Sequence, residues 1–172
     1  MHEFTVSVAE VLGRPGTYRD IRLSAPLPGV RTKLARLGDA PVRGDLRAES
    51  VVEGILVTGR AEAPVVATCA RCLRDVQTAA SPELCELFVA PGTQVAPDED
   101  VYEIRGTDID LEPALRDALT LALPLNPLCR EDCKGICARC GADLNATSCD
   151  CSDDDVDPRW AILDAVRAEL ER

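Results

Sequence analysis

From Val42 to Phe88 the apolar positions recur largely at every second residue, the period of strands with one face buried. Val42, Gly44, Leu46 and Ala48 alternate with polar neighbours. Val51 to Thr58 is richer in β-branched residues, with Val52, Gly54, Leu56 and Thr58 on one face. Pro64 to Thr68 and Leu73 to Thr78 flank a Cys-Ala-Arg-Cys turn, and Ser81 to Val89 reads as a further strand. Upstream, Tyr18 to Leu23 alternates in the same way and is broken by Ala25-Pro-Leu-Pro-Gly29. Phe4 to Leu12 combines an extended start with a short helical turn, stopped by Gly13 and Pro15-Gly16. Residues 30–41 form a connection in which Leu34 and Leu37 can pack down. Short strands with turns between them predict an antiparallel β-meander, drawn as a twisted sheet or a partly closed barrel.

The period changes after a polar, Pro-containing loop at 90–100. Val101–Arg105 and Thr107–Ile109 add short extended pieces. Leu111 to Leu123 then repeats as a helix, with Leu111, Leu115, Ala118, Leu119 and Ala122 in one stripe. Leu121 and Leu123 fall outside the stripe, which predicts a helix buried on more than one side. Asp110 is placed to cap it, Glu112 suits the positive end of its dipole, and Pro113 is tolerated in the first turn. A last helix is predicted from Pro158 to Glu171, capped by Asp157, with Leu163, Val166 and Leu170 at helical spacing. Trp160 either joins that stripe or reaches a partner. The class is α+β, with a β-rich domain carrying one buried helix over residues 1–124. A cysteine-rich zinc-knuckle segment and a C-terminal helix occupy residues 125–172.

Aromatic residues make up 3% of the chain, so the core has to be built from Leu, Val, Ile and Ala. The net charge of −11 is uneven. Residues 1–80 carry 11 Lys/Arg and 9 Asp/Glu, whereas residues 81–172 carry 8 and 21. Phosphate neutralisation needs cations, so the acidic half is a poor RNA surface and suits a basic protein better. Arg31, Lys33, Arg36, Arg43 and Arg47 form the best candidate RNA patch, with an ordinary solvated loop as the rival reading. The start predicts no signal peptide, and no apolar run approaches a membrane span, so a cytoplasmic protein is expected.

The candidate chemistry is sulfur. Six of the nine cysteines lie between Cys129 and Cys151. Zinc takes four tetrahedral thiolates most readily as two pairs, one of them usually C-x-x-C in a tight turn. Cys137-Ala-Arg-Cys140-Gly141 is such a turn, and Cys149-Asp-Cys151 offers the second pair. The upstream Cys69-Ala-Arg-Cys72 repeats the tetrapeptide and lacks two partners, which Cys129 and Cys133 can supply. Two sites follow: Cys137, Cys140, Cys149 and Cys151, and Cys69, Cys72, Cys129 and Cys133. A rival division groups Cys129, Cys133, Cys137 and Cys140. Disulfides would need an oxidising compartment, and an odd number of thiols cannot all pair within one chain. A thioredoxin-like role lacks its βαβ surroundings. Cys85 is expected as a small core residue. Arg71, Arg74, Arg130, Lys134 and Arg139 lie beside the proposed ligands and either offset their charge or are ordinary solvated side chains.

The run Pro-Leu-Cys-Arg-Glu-Asp-Cys-Lys-Gly-Ile-Cys-Ala-Arg-Cys-Gly-Ala-Asp-Leu-Asn, from Pro127 to Asn145, is followed by Cys-Asp-Cys and Val-Asp-Pro-Arg-Trp-Ala. Together with Thr68–Leu73 and Asp110–Pro124, it resembles the YceD family of large ribosomal RNA subunit accumulation proteins. The resemblance runs from about Val6 to Leu170. It implies a bacterial, non-enzymatic protein, with plastid relatives, needed for normal levels of 23S rRNA and of the large subunit. Ribosomal RNA or large-subunit assembly proteins are the implied partners, with no small-molecule substrate. Family members that keep the upstream pair but lack the C-terminal Cys-x-Cys favour the first division of ligands. No catalytic residues carry over.

Enzymatic readings have little to stand on. The one histidine is His2, and neither a nucleotide-binding motif nor a Ser-His-Asp arrangement occurs. The acidic pairs Asp98/Asp100 and Asp108/Asp110 are the only basis for a carboxylate nuclease. Four protein thiolates around one zinc leave no open position for water. A thiol-based redox or metal-responsive regulator is the rival function.

Overall fold

The structure, a computed structural model, describes residues 3–93, 100–151, 163 and 166–167. It is organised on one long strand. The strands are β1 (Thr5–Ser7), β2 (Tyr18–Ala25), β3 (Ala35–Leu37), β4 (Val42–Ser50), β5 (Gly54–Thr68), β6 (Asp75–Ala80), β7 (Glu83–Val89), β8 (Tyr102–Glu103) and β9 (Asp108–Asp110), followed by α1 (Glu112–Ala122). The two strands expected at 51–58 and 64–68 are one: β5 is unbroken for 15 residues. Its first half pairs with β4 and β7, from Ser50↔Ile55 to Arg43↔Glu62 and from Gly54↔Val89 to Arg60↔Glu83. Its second half pairs with β3 and β6, through Ala35↔Ala67 and Thr68↔Asp75. Each flank of β5 is therefore a strand interrupted once, at Pro41 on one side and Pro82 on the other. Proline has no N–H to continue a ladder. The Ala61 N–H instead donates to the Pro82 carbonyl (3.1 Å), and the Gly38 N–H to the Pro64 carbonyl (2.7 Å). Only glycine fits at Gly59, where φ is 142° and a Cβ would run into the Asp45 carbonyl oxygen.

The sheet stays open. Its order is β2-β4-β5-β7-β8, with β3 and β6 alongside β5, while β1 and β9 make a separate two-stranded ladder. No pairing joins β2 to β8 among the described residues, so the partly closed barrel of the sequence reading does not form. Along β5 the neighbours change from β4 and β7 to β3 and β6, so the strands divide between two successive sets instead of following one another round to a common edge. The sheet is also mixed, because β8 runs parallel to β7.

The core lies between one sheet face and α1. Ile55, Val57, Leu84 and Phe88 meet Leu115 and Leu119, with Ile109, Leu111 and Val8 closing one end. The buried side of β5 carries the odd-numbered residues Ile55 and Val57, opposite the face of Leu56 and Thr58. Val52 precedes the strand and is exposed. Cys85 alternates with buried Leu84 and Phe88, so it points outward; the expected core cysteine is an exposed one.

Helix α1 buries a single side. Leu121 is 86% exposed, against the expected burial on more than one side, because β7 and β5 cover only the stripe of Leu115 and Leu119. Leu123 is buried for another reason: it precedes Pro124, is extended (φ −65°, ψ 135°), and has left the helical period. Asp110 caps from one position further out than expected. Its carboxylate accepts the Glu112 N–H (3.1 Å), while the capping position itself is Leu111.

Among the described residues no helix is long and apolar enough to cross a membrane. Leu163, Val166 and Arg167 are helical. The rest of the expected last helix, with Asp157, Trp160 and Leu170, lies outside the described residues, as does Asp98.

Candidate metal centres

The β5–β6 hairpin ends in the first Cys-Ala-Arg-Cys turn. The Cys69 N–H donates to the Arg74 carbonyl (2.8 Å), and the Leu73 N–H to the Cys69 carbonyl (3.0 Å). The second copy repeats both bonds: Cys137 N–H to the Ala142 carbonyl (2.8 Å) and Gly141 N–H to the Cys137 carbonyl (2.9 Å). The residue after each second cysteine is left-handed, with φ 61° at Leu73 and 73° at Gly141. Glycine takes that conformation without strain, and leucine does not. Positive φ turns the backbone so that both sulfurs of each pair face the same side.

The chain after α1 is laid against the first turn. The Ala70 N–H donates to the Pro127 carbonyl (2.8 Å), the Ile136 N–H to the Arg71 carbonyl (3.1 Å), and Arg71 Nη1 to the Cys133 carbonyl (2.8 Å). At Gly135 (φ 79°) a Cβ would sit 2.9 Å from the Arg71 carbonyl oxygen. That close approach brings Cys129 and Cys133 onto Cys69 and Cys72.

All eight cysteines singled out from the sequence fall into two groups, Cys69/Cys72/Cys129/Cys133 and Cys137/Cys140/Cys149/Cys151. Within each, the sulfurs lie within 4.8 Å of one another. The rival grouping of Cys129 and Cys133 with Cys137 and Cys140 is not assembled. In the first group the Cys69–Cys133 and Cys72–Cys129 sulfurs are 3.9 and 3.5 Å apart. A zinc–sulfur distance of about 2.3 Å sets tetrahedron edges of about 3.8 Å, so the donor set fits such an ion in size and in chemistry.

The two groups differ in burial. Cys69, Cys72 and Cys133 are buried, whereas Cys140 and Cys151 are exposed. Within each group the thiols divide. Backbone N–H donation, chiefly from Cys72, lowers Cys69 to about 6. Burial pushes Cys129 up to about 12. In the second group the Cys140 backbone N–H lowers Cys137 to about 6, and the hydrogen bond with Cys140 raises Cys151 to about 12. One ready thiolate per group is a natural first ligand, since metal binding requires deprotonated sulfur.

Arg74, expected beside the ligands, and two residues of the second loop support them. Arg74 Nε donates to the Cys72 sulfur (3.4 Å) and lowers that thiol, while its Nη2 lies 3.9 Å from Asp143. Asp143 and Asn145 link the second loop to the first group. The Asn145 amide holds the Asp143 carboxyl below its usual range. A side chain that supports a ligand from another loop has no spacing rule, so the roles of Asp143 and Asn145 were not visible in the sequence.

The other candidates do not converge. Arg31 and Arg36 pair across the β3 turn, and Arg36 lies 3.6 Å from Asp39. Arg47 of β4 contacts Asp20 at 2.8 Å and stacks on Tyr18 at 3.9 Å. The charge of the proposed RNA patch is thus partly spent in a cross-strand ladder. The Asp110 carboxylate is occupied as a cap, and that of Asp108 accepts the Thr107 hydroxyl (3.4 Å).

Residues 57–167 match the family described as large ribosomal RNA subunit accumulation protein YceD. The chain is 37% identical to the Mycobacterium tuberculosis protein Rv2926c over 164 residues, 92% of this chain and 79% of that one. It is 39% identical to ML1660 of Mycobacterium leprae over 162 residues, 87% of this chain and 71% of the other. A shorter match, 32% over 65 residues, covers 38% of this chain and 20% of a chloroplast protein of Arabidopsis thaliana. That protein is named large ribosomal RNA subunit accumulation protein YCED homolog 1. No solved structure matches the chain. The protein belongs to the YceD family.

Proposed function

We propose that this chain is a non-enzymatic factor supporting accumulation of 23S rRNA and the large ribosomal subunit, shaped by two structural zinc ions. The observation that carries the reading is a pair of four-sulfur groups within a YceD-family chain. Cys69, Cys72, Cys129 and Cys133 would hold one ion, and Cys137, Cys140, Cys149 and Cys151 the other. Four thiolates close the coordination sphere, so each ion would supply folding energy and a fixed shape, not an activated water. On this reading residues 1–124 are the scaffold and residues 125–172 the metal-bearing segment, working in the cytoplasm. The partner is ribosomal RNA or a large-subunit assembly protein. The excess of acid in residues 81–172 (21 Asp/Glu against 8 Lys/Arg) favours a basic protein over bare phosphate.

Depleting the protein in its source organism should lower the ratio of 23S to 16S rRNA, and an unchanged ratio would sink the assignment. Elemental analysis of purified protein should give two zinc ions per chain. The exposed sulfurs of Cys140 and Cys151 favour a second reading, a thiol-based redox or metal-responsive regulator. Mild oxidant or chelator would then reversibly change a partner interaction in a way that depends on those two residues.

A further inference from the structure

The second loop reaches the first sulfur group through one side chain. Asn145 sits between the turn at Cys137–Gly141 and the pair Cys149/Cys151. Its Oδ1 accepts the Lys134 backbone N–H and Arg130 Nη2, both at 2.8 Å. Its Nδ2 donates to Asp143 Oδ1 (2.7 Å), to the Gly135 carbonyl (3.4 Å) and to the Cys133 sulfur (3.6 Å). That sulfur belongs to the other group and is buried. Arg74 makes the reverse link, from Cys72 of the first group to Asp143 of the second loop. One sulfur of the first group therefore takes a hydrogen bond from the second loop itself, and the donor to another lies 3.9 Å from that loop's Asp143.

That loop is held at both ends by the second group's cysteines. Between them it is pinned by Leu144 N–H to the Gly135 carbonyl (3.0 Å) and by Ala146 N–H to the Asp143 carbonyl (3.0 Å). A closed second group would add a restraint on Asn145 from both ends of that loop.

We propose that the two groups load metal cooperatively, with Asn145 as the positioning residue that couples them. Closing Cys137, Cys140, Cys149 and Cys151 on an ion fixes the loop and delivers the Asn145 amide to Cys133, which tightens the first group. Linkage is reciprocal, so an ion in the first group tightens the second by the same factor. The inference rests on the reading that both groups hold metal. Donors behind the ligands typically account for about 10- to 100-fold in metal affinity.

The test is chelator-driven zinc release from the full chain, with elemental analysis counting ions at each stage. The sheet core is built from residues outside the cysteine segment, so variants leave a folded scaffold that circular dichroism can verify. Cys149→Ser with Cys151→Ser should hold one ion and release it about tenfold faster than the slow phase of the natural chain. Asn145→Ala should retain two ions and show the same acceleration of the slow phase. Adding Asn145→Ala to the serine pair should accelerate release no further, because both act through one contact. Asn145→Asp keeps the acceptor for Lys134 and loses the donor, and should behave as Asn145→Ala does.

Release from the first group that is indifferent to emptying the second overturns the proposal. So does additivity in the combined variant, or an Asn145→Asp chain that behaves as the natural one. A natural chain that binds no zinc would instead remove the metal reading itself.

Discussion

The chain contains the tetrapeptide Cys-Ala-Arg-Cys twice and folds both copies with the same two backbone hydrogen bonds, yet their settings are opposite. The first copy sits at the tip of a hairpin that is part of the central sheet. Its partner sulfurs come from 57 and 64 residues away. Closing a loop of that length restrains the unfolded chain heavily, so an ion there would act on the stability of the whole fold. The second copy finds its partners within the same short segment, and two of its four sulfurs are exposed. An ion there would order a local loop and remain within reach of chelators and oxidants. Identical turns thus serve different ends, because burial and the sequence separation of the ligands differ.

Breaking one ligand in each centre is the strongest test of this contrast. Cys69→Ser should cost more than about 4 kcal/mol, the range expected when a structural metal is lost. Cys140→Ser should shift the main denaturant transition by no more than about 1.4 kcal/mol, the tenfold weakening passed on to the first centre. Equal losses in the two variants would erase the distinction between the centres.

Acidity probes the thiols once the metal is removed. Cys69 and Cys137 are lowered in the fold from 9.0 to about 6. A depressed value contributes stability that is present above pH 9 and lost as pH falls through 6. Cys129 and Cys151 are raised from 9.0 to about 12. Their contribution is present below pH 9 and lost as pH rises toward 12. The reduced, metal-free chain should therefore be most stable near pH 9. A midpoint of unfolding that does not change between pH 6 and 9 would contradict this ordering of the thiols.

The smallest effect separates the two turns themselves. Gly141 has φ 73° with open space where a Cβ would go, so Gly141→Ala costs only backbone strain, about 1 kcal/mol. That should weaken zinc at the second centre roughly fivefold. Leu73→Gly relieves the same conformation in the first turn (φ 61°), and its effect should have the opposite sign. Calorimetric titration of each variant compares the two.

Much of this was readable along the chain. The alternation of Val42, Gly44, Leu46 and Ala48 marks one buried face, and that face is buried. The stripe of Leu115 and Leu119 is the packed side of α1. Spacing and the count of sulfurs offered a division into two groups of four beside a rival grouping of Cys129, Cys133, Cys137 and Cys140, and the fold brings together the first. Other features could not be read. Leu121 and Leu123 look alike in the periodic pattern, but one faces solvent and the other is buried where Pro124 pulls the chain out of the helix. Cys85 looked like a core residue until the register of β7 turned it outward.

Local patterning and the chemistry of sulfur were thus decided by the sequence alone: most of the strands, where α1 lies, and which cysteines form turns, although β3 (Ala35–Leu37) falls in the stretch expected as a connection. Tertiary structure decided that β5 is a single strand with two successive sets of neighbours, that the sheet stays open, and that Asn145 reaches Cys133. The reason is that a strand's period specifies only the face it buries, while its partners and edges depend on contacts made across distant parts of the chain.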